Sequence, residues 1–104
     1  MDYVALLKSG SDKWNLERCS MSSFRPIFPD LNFVDEFGGP GFYDIPDFFG
    51  VDFSNSDMNM ASMRNCMFFD CSFDDAHMTY TDMVDAYFTN YTFRRTCMRA
   101  SRIG

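Results

Sequence analysis

From Phe48 to Ile103 every fifth residue is large and apolar: Phe48, Phe53, Met58, Met63, Phe68, Phe73, Met78, Met83, Phe88, Phe93, Met98 and Ile103. Twelve consecutive hits on a five-residue step fit neither ordinary regular structure, whose side-chain periods are 3.6 in a helix and 2 in a strand. The residues two places earlier are mostly small: Val51, Ser56, Ala61, Cys66, Cys71, Ala76, Thr81, Ala86, Thr96 and Ser101, with Pro46 and Tyr91 as exceptions. Each unit therefore reads small, polar, large, then two mostly polar positions.

A second period is laid over the first. The large residues run Phe, Phe, Met, Met twice over and then Phe, Phe, Met, Ile, a repeat of twenty residues or four units. A coil with four sides, each one unit long, stacks Phe48 on Phe68 on Phe88 and Met58 on Met78 on Met98. Identical layers place like side chains in columns, and flexible Met fills irregular gaps between them. The 13 Phe and 9 Met, in place of the usual aliphatic residues, are thus the filling of a narrow four-sided solenoid.

Units such as VDFSN, SDMNM, TDMVD and AYFTN resemble the pentapeptide-repeat proteins, whose unit A(D/N)LXX has a small residue two before a central Leu or Phe. The resemblance spans Pro46 to Gly104 and implies an all-β fold, a right-handed quadrilateral β-helix of about three coils. The Met centres, Tyr91 at a small position and Met67 before Phe68 depart from the pattern. Residues 1–45 read as an N-terminal helix and irregular cap, and residues 46–104 as the β-helix. DYVALLK places Tyr3, Leu6 and Leu7 on one side and is followed by Ser9-Gly10, a helix with a stop signal. LLKSGSDKWNLER resembles a leader that precedes the repeats in some family members. Leu16, Met21, Pro26 and Leu31 keep a five-residue step and read as a degenerate first coil; VDEFGGPGFYDIPDFFG then breaks step at a Gly-Gly-Pro-Gly loop signal. Phe33 and Tyr43 fit the later register, while Phe37 and Phe42 do not.

Composition narrows the function classes. At 104 residues the chain is one domain. A net charge of −6 points away from direct nucleic-acid binding, and no apolar run approaches the roughly 20 residues that span a bilayer. The N-terminus has no signal-peptide pattern, so a cytoplasmic location, or a place in a particle assembled inside the cell, is expected. Cys19, Cys66, Cys71 and Cys97 form no CxxC pair and His77 is the single histidine, so reduced thiols and neither metal nor cofactor are expected. Cys66 and Cys71 occupy inward small positions and read as buried hydrophobes.

The twenty-residue period also says which surface residues stack. Asp57, His77 and Cys97 fall in one outward column, in the order of a carboxylate, imidazole and thiol relay; a convex rod offers such a relay no pocket, and the column reads as a surface ladder. Asp74 lies under Arg94, Asp75 under Arg95 and Asp82 under Arg102, which reads as register-setting charge pairs. Residues 30–93 hold twelve acids and one Arg, while residues 94–104 hold Arg94, Arg95, Arg99 and Arg102 and no acid.

These features point to a non-enzymatic protein–protein interaction or structural assembly module. Outward Phe49 and Phe69, with Arg94, Arg95, Arg99 and Arg102, are the candidate partner contacts. A partner protein is expected at the C-terminal coil end, where Ile103 is the last inward residue, with a homodimer as the second arrangement. The alternative is an acidic DNA mimic that regulates a topoisomerase, by resemblance to family members that imitate DNA to occupy DNA gyrase. It fits poorly: three coils span about 14 Å at strand spacing, against roughly 34 Å for a turn of DNA.

Overall fold

The computed structural model describes residues 2–20, 24–28, 30–38 and 46–102. Its elements are three helices, α1 (Tyr3–Lys8), α2 (Ser11–Ser20) and α3 (Phe33–Phe37), and three short strands, β1 (Asp47–Phe49), β2 (Met67–Phe69) and β3 (Tyr87–Thr89). The strands form a parallel sheet in the order β1-β2-β3, with Phe48 opposite Phe68 and Phe68 opposite Phe88. Further parallel bridges join Asp52 to Ser72 and Thr92, Asp57 to His77 and Cys97, and Ser62 to Asp82 and Arg102. Pairing thus recurs every twenty residues at four places per coil, and the fold is of β-helix type.

The five-residue unit explains the coil. Its large residue points inward and its backbone bonds the next coil, as where the Phe53 amide donates to the Ser72 carbonyl at 2.7 Å and Met58 to His77 at 2.8 Å. A tight turn follows. The Ser56 amide donates back to the Phe53 carbonyl at 3.2 Å, and between them Asn55 takes φ 62°, the positive φ that a type II turn needs at its third residue. The Asp before the centre adds a local bond: the carboxylates of Asp52, Asp57 and Asp82 accept from the amides of Ser54, Asn59 and Val84 at 2.9–3.1 Å, the self-bonding that favours Asp in turns.

Inside, the columns form as expected. Phe48, Phe68 and Phe88 stack with ring centroids 5.3 and 5.0 Å apart, and Phe53, Phe73 and Phe93 with 5.1 and 5.0 Å. Phe53, Met58, Met63, Phe68, Phe73 and Met78 are fully buried. The inward hydroxyls of Thr81 and Ser101 donate to the Met78 carbonyl and that of Thr96 to the Phe73 carbonyl, whereas the buried Ser56 hydroxyl has no partner among the described residues. Tyr91 does not fit a slot sized for Ala or Cys. It stays about half exposed and leans on the rings of Phe88 and Phe93.

The N-terminal segment corrects two expectations. The five-residue step beginning at Leu16 is not a coil, because WNLER lies within α2 and Leu16 faces solvent; Leu, Glu, Lys and Arg there are good helix formers. Met21 lies outside the described residues. A partial coil does follow, but its offset is thirty residues: Ile27 pairs with Asp57 and Asn32 with Ser62. Fully buried Phe33 therefore lies over the Met63 side, since its amide bonds the Ser62 carbonyl, and not over Phe53 as the twenty-residue period implies. The cause is the extra chain between Phe33 and Pro46. It begins with α3, capped by the Asn32 side chain on the Asp35 amide at 3.2 Å, and the Gly39–Ile45 stretch, with Phe42 and Tyr43, lies outside the described residues.

Helix α2 covers the edge that this partial coil leaves open. The Asn15 side-chain amide donates to the Gly50 carbonyl at 2.8 Å and accepts from the Asp52 amide at 3.2 Å. Trp14 Nε1 and Arg18 Nε both donate to the Asp52 carbonyl, at 2.7 and 3.0 Å, and Arg18 also bonds the Ser54 carbonyl. Residues 14, 15 and 18 share one helix face. The indole of Trp14, fully buried, closes the interior above Phe53 at 5.8 Å and stacks on Phe28. Among the described residues no helix is long and apolar enough to cross a membrane.

Truncating Phe68 to Ala is expected to lower unfolding free energy by about 3–5 kcal/mol, as for other buried Phe residues. Phe69→Ala, on the outer face of the same strand, costs roughly 1 kcal/mol, the worth of an aromatic pair. Urea titrations of the two variants check this, and equal losses contradict the inward–outward register.

Candidate interaction surface

The outer face of the sheet carries Phe49, Phe69 and Tyr87. Alternation along a strand sends Phe48, Phe68 and Phe88 inward and their neighbours outward. Phe49 and Phe69 stack with centroids 4.7 Å apart at an interplanar angle of 11°, and Tyr87 tilts against Phe69 at 5.9 Å. Phe49 is 58% and Tyr87 53% exposed, so the stack presents a flat aromatic strip to solvent. Phe69, between them, is half-buried.

Beside this strip the surface is concave, which a plain convex rod is not. A cavity of about 750 Å³ opens above β1 between the end of α1 and α3. Its lining mixes apolar Leu7, Phe37, Phe48, Phe49 and Val51 with polar groups, Ser11 among them. Lys8 and Glu36, an ion pair at 3.7 Å, line it too, together with Asp47. The outer edge of β1 pairs with no other strand among the described residues.

At the other end the arginines are not equivalent. Arg95 makes a forked pair with Asp75, Nε to Oδ1 at 2.7 Å and a terminal nitrogen to Oδ2 at 2.9 Å, which holds that carboxyl below its usual range. Arg94 meets Asp74 through its backbone, whose amide donates to the carboxylate at 2.8 Å; that bond lowers the Asp74 carboxyl as well. The third expected pair is displaced. Asp82 lies beneath Arg102 on the ladder, but its carboxylate pairs with Arg64 Nε at 3.0 Å, because Arg64 reaches along the neighbouring coil to the same oxygens. Arg94, Arg99 and Arg102 are exposed. Burial also fades here, with Phe88, Phe93 and Met98 only partly covered; Ile103 lies outside the described residues.

The column of Asp57, His77 and Cys97 forms as a ladder of backbone bridges. The Cys97 sulfur bonds the Thr79 hydroxyl at 3.5 Å. That bond and the Arg99 amide pull the thiol below its ordinary value. Burial does the opposite to the two inward thiols: Cys66 is pushed up to about 12 and Cys71 is raised. All four cysteines are free. Among the described residues no group of three His, Cys, Asp or Glu is placed to hold a metal ion.

With the repeating geometry in place, comparison with known families is decisive at one segment: the family model for pentapeptide repeats (8 copies) matches residues 47–79. Residues 47–79 carry pentapeptide repeats. The same pairing continues past the matched residues as far as the Asp82–Arg102 bridge. No curated protein and no solved structure matches the chain significantly.

One feature of this surface carries no signal in the residues. The cavity arises from how α1 and α3 sit above β1, which no local pattern encodes. The turn position that closes each unit was legible, because Asn or Asp recurs there at Asn55, Asn65, Asp70, Asp75, Asp85 and Asn90.

The thiols supply a test. With a maleimide at neutral pH, exposed Cys97 and Cys19 are expected to react in the native protein. Cys66 and Cys71 are expected to react only after unfolding. Mass mapping of the labelled peptides decides it, and early labelling of Cys66 contradicts its inward position.

Proposed function

We propose that the protein is a non-enzymatic interaction or structural assembly module, built on a right-handed quadrilateral β-helix of four units per coil. The four pairing ladders support that form. The observation that carries the functional reading is the exposed stack of Phe49, Phe69 and Tyr87 on a rigid parallel sheet. Aromatic residues held in one geometry lose little freedom on binding and are enriched where proteins meet. Arg99 and Arg102 add a basic end to an acidic rod and suit an acidic surface on the partner. In the Asp57, His77 and Cys97 column the thiol is engaged by Thr79, which fits a surface ladder better than a nucleophile aimed by its histidine.

Affinity capture from the native source tests this, comparing the wild-type chain with Phe49→Ser/Phe69→Ser and with Arg99→Glu/Arg102→Glu. The expected result is a defined structural or assembly protein held by the wild type and lost from both variants, with the fold intact by circular dichroism. Recovery of a topoisomerase by all three proteins contradicts it and favours the acidic mimic.

A further inference from the structure

The turn position that closes each unit holds a backbone conformation disfavoured for most residues. From Gly50 to Ala100 its φ lies between 53° and 66°, a region that Gly, Asn and Asp tolerate and bulky residues avoid. Seven of these eleven corners carry Gly, Asn or Asp. Of the other four, Arg95 has its forked pair with Asp75. The remaining three, Met60, Tyr80 and Ala100, form a single column at twenty-residue spacing. Burial does not offset the strain, since Met60 is 54% and Tyr80 64% exposed. The fold's own preference is overruled at successive coils to place apolar side chains in water. Strain combined with apolar exposure points to a contact.

The same chain contains a surface that such a ridge fits. The cavity above β1 is lined by apolar Leu7, Phe37, Phe48 and Phe49 alongside the charged pair Lys8 and Glu36, and Asp47, also in its lining, has no ion pair among the described residues. The ridge is flanked by uncharged Asn59 and Thr79, linked by a 2.9 Å bond from the Thr79 amide to the Asn59 side chain, with Arg99 beside Ala100. The exposed apolar ridge suits the apolar side chains of the cavity, and the base beside the one suits the unpaired acid in the lining of the other.

We propose that a second copy of this chain docks head to tail, the Met60–Tyr80 ridge of one copy seated in the cavity above β1 of the next, with Arg99 facing Asp47. The ridge follows the Asp57–His77 ladder and the cavity lies over β1, two ladders away. Each docked copy therefore keeps one ridge or one cavity free, and the contact propagates as a chain or closes as a ring. A single ridge in a single cavity belongs to the weak, transient class of interfaces. The inference rests on the interaction-module reading, but its experiment uses purified protein alone, so failure here leaves the outcome of partner capture untouched.

Sedimentation velocity over a range of concentrations provides the test, with Tyr80→Asn as the ridge variant and Asp47→Arg as the cavity variant. The wild type is expected to gain mass with concentration, and each variant to weaken that association about tenfold or more. Mixed together, the two variants are expected to pair as a dimer and stop, since the mixture supplies one intact ridge and one intact cavity. Tyr80→Asn is also expected to raise Tm by about 3 °C, because Asn suits the corner that Tyr strains. A wild type that stays monomeric, a mixture that fails to pair, or a Tyr80→Asn variant with a lowered Tm each overturns the proposal.

Discussion

A coil of a parallel β-helix lends its backbone to a neighbour on each side, and buried amides and carbonyls left without partners are costly. The coil that begins at Pro46 has a full neighbour below and only part of one above. Two of its upper sides are met by Pro26, Phe28, Leu31 and Phe33, whose backbone bonds Asp57 and Ser62. A third is met by side chains. The Asn15 amide group reproduces a neighbouring peptide, donating to Gly50 and accepting from Asp52, while Trp14 and Arg18 take the Asp52 carbonyl. Desolvation lowers the Arg18 guanidinium and the nearby Asp52 carboxylate opposes that effect, as expected of a charge drawn into a cap. The helix supplies in side chains what a coil supplies in backbone.

The interior depends on that closure. Rings stacked about 5 Å apart along two columns bury their faces against each other, and such a column exposes one face at each end. At the N-terminal end Trp14, Phe28 and Phe33 cover it. At the last described coil Phe88 and Phe93 are only partly covered. Stability is then graded along the axis, as in other repeat proteins whose units contact only their neighbours. The aromatic strip on the outer sheet face inherits its rigidity from the inner columns, because Phe49 and Phe69 are held by the same strands as Phe48 and Phe68.

Much of this was legible in the residues, for a physical reason. A solenoid core repeats its environment, so Phe48, Phe68 and Phe88 meet the same demand three times and the period emerges above chance. The segment before Pro46 meets each demand once. Leu16 fell on the five-residue step by coincidence and faces solvent on a helix. The offset of thirty at Ile27 and Asn32 depends on the length of chain between Phe33 and Pro46, which carries no periodic signal. Among the candidate contacts, the stacking of Phe49 on Phe69 and the pairing of Arg95 with Asp75 followed from register alone. The capture of Asp82 by Arg64 did not, since long side chains choose among several neighbours. Met60 and Tyr80 differ from ordinary surface residues only in their positive φ, which the residue pattern does not encode.

Side chains of α2 replace a missing coil, and native-state hydrogen exchange at the Asp52 amide tests this most directly. In the wild type that amide is expected to be protected to a degree comparable with Phe53, whose partner is the Ser72 backbone. In Asn15→Ala its protection is expected to fall selectively while Phe53 keeps its own, a local opening distinct from global unfolding. An Asp52 amide that exchanges freely in the wild type, or one that is indifferent to the loss of Asn15, contradicts the account.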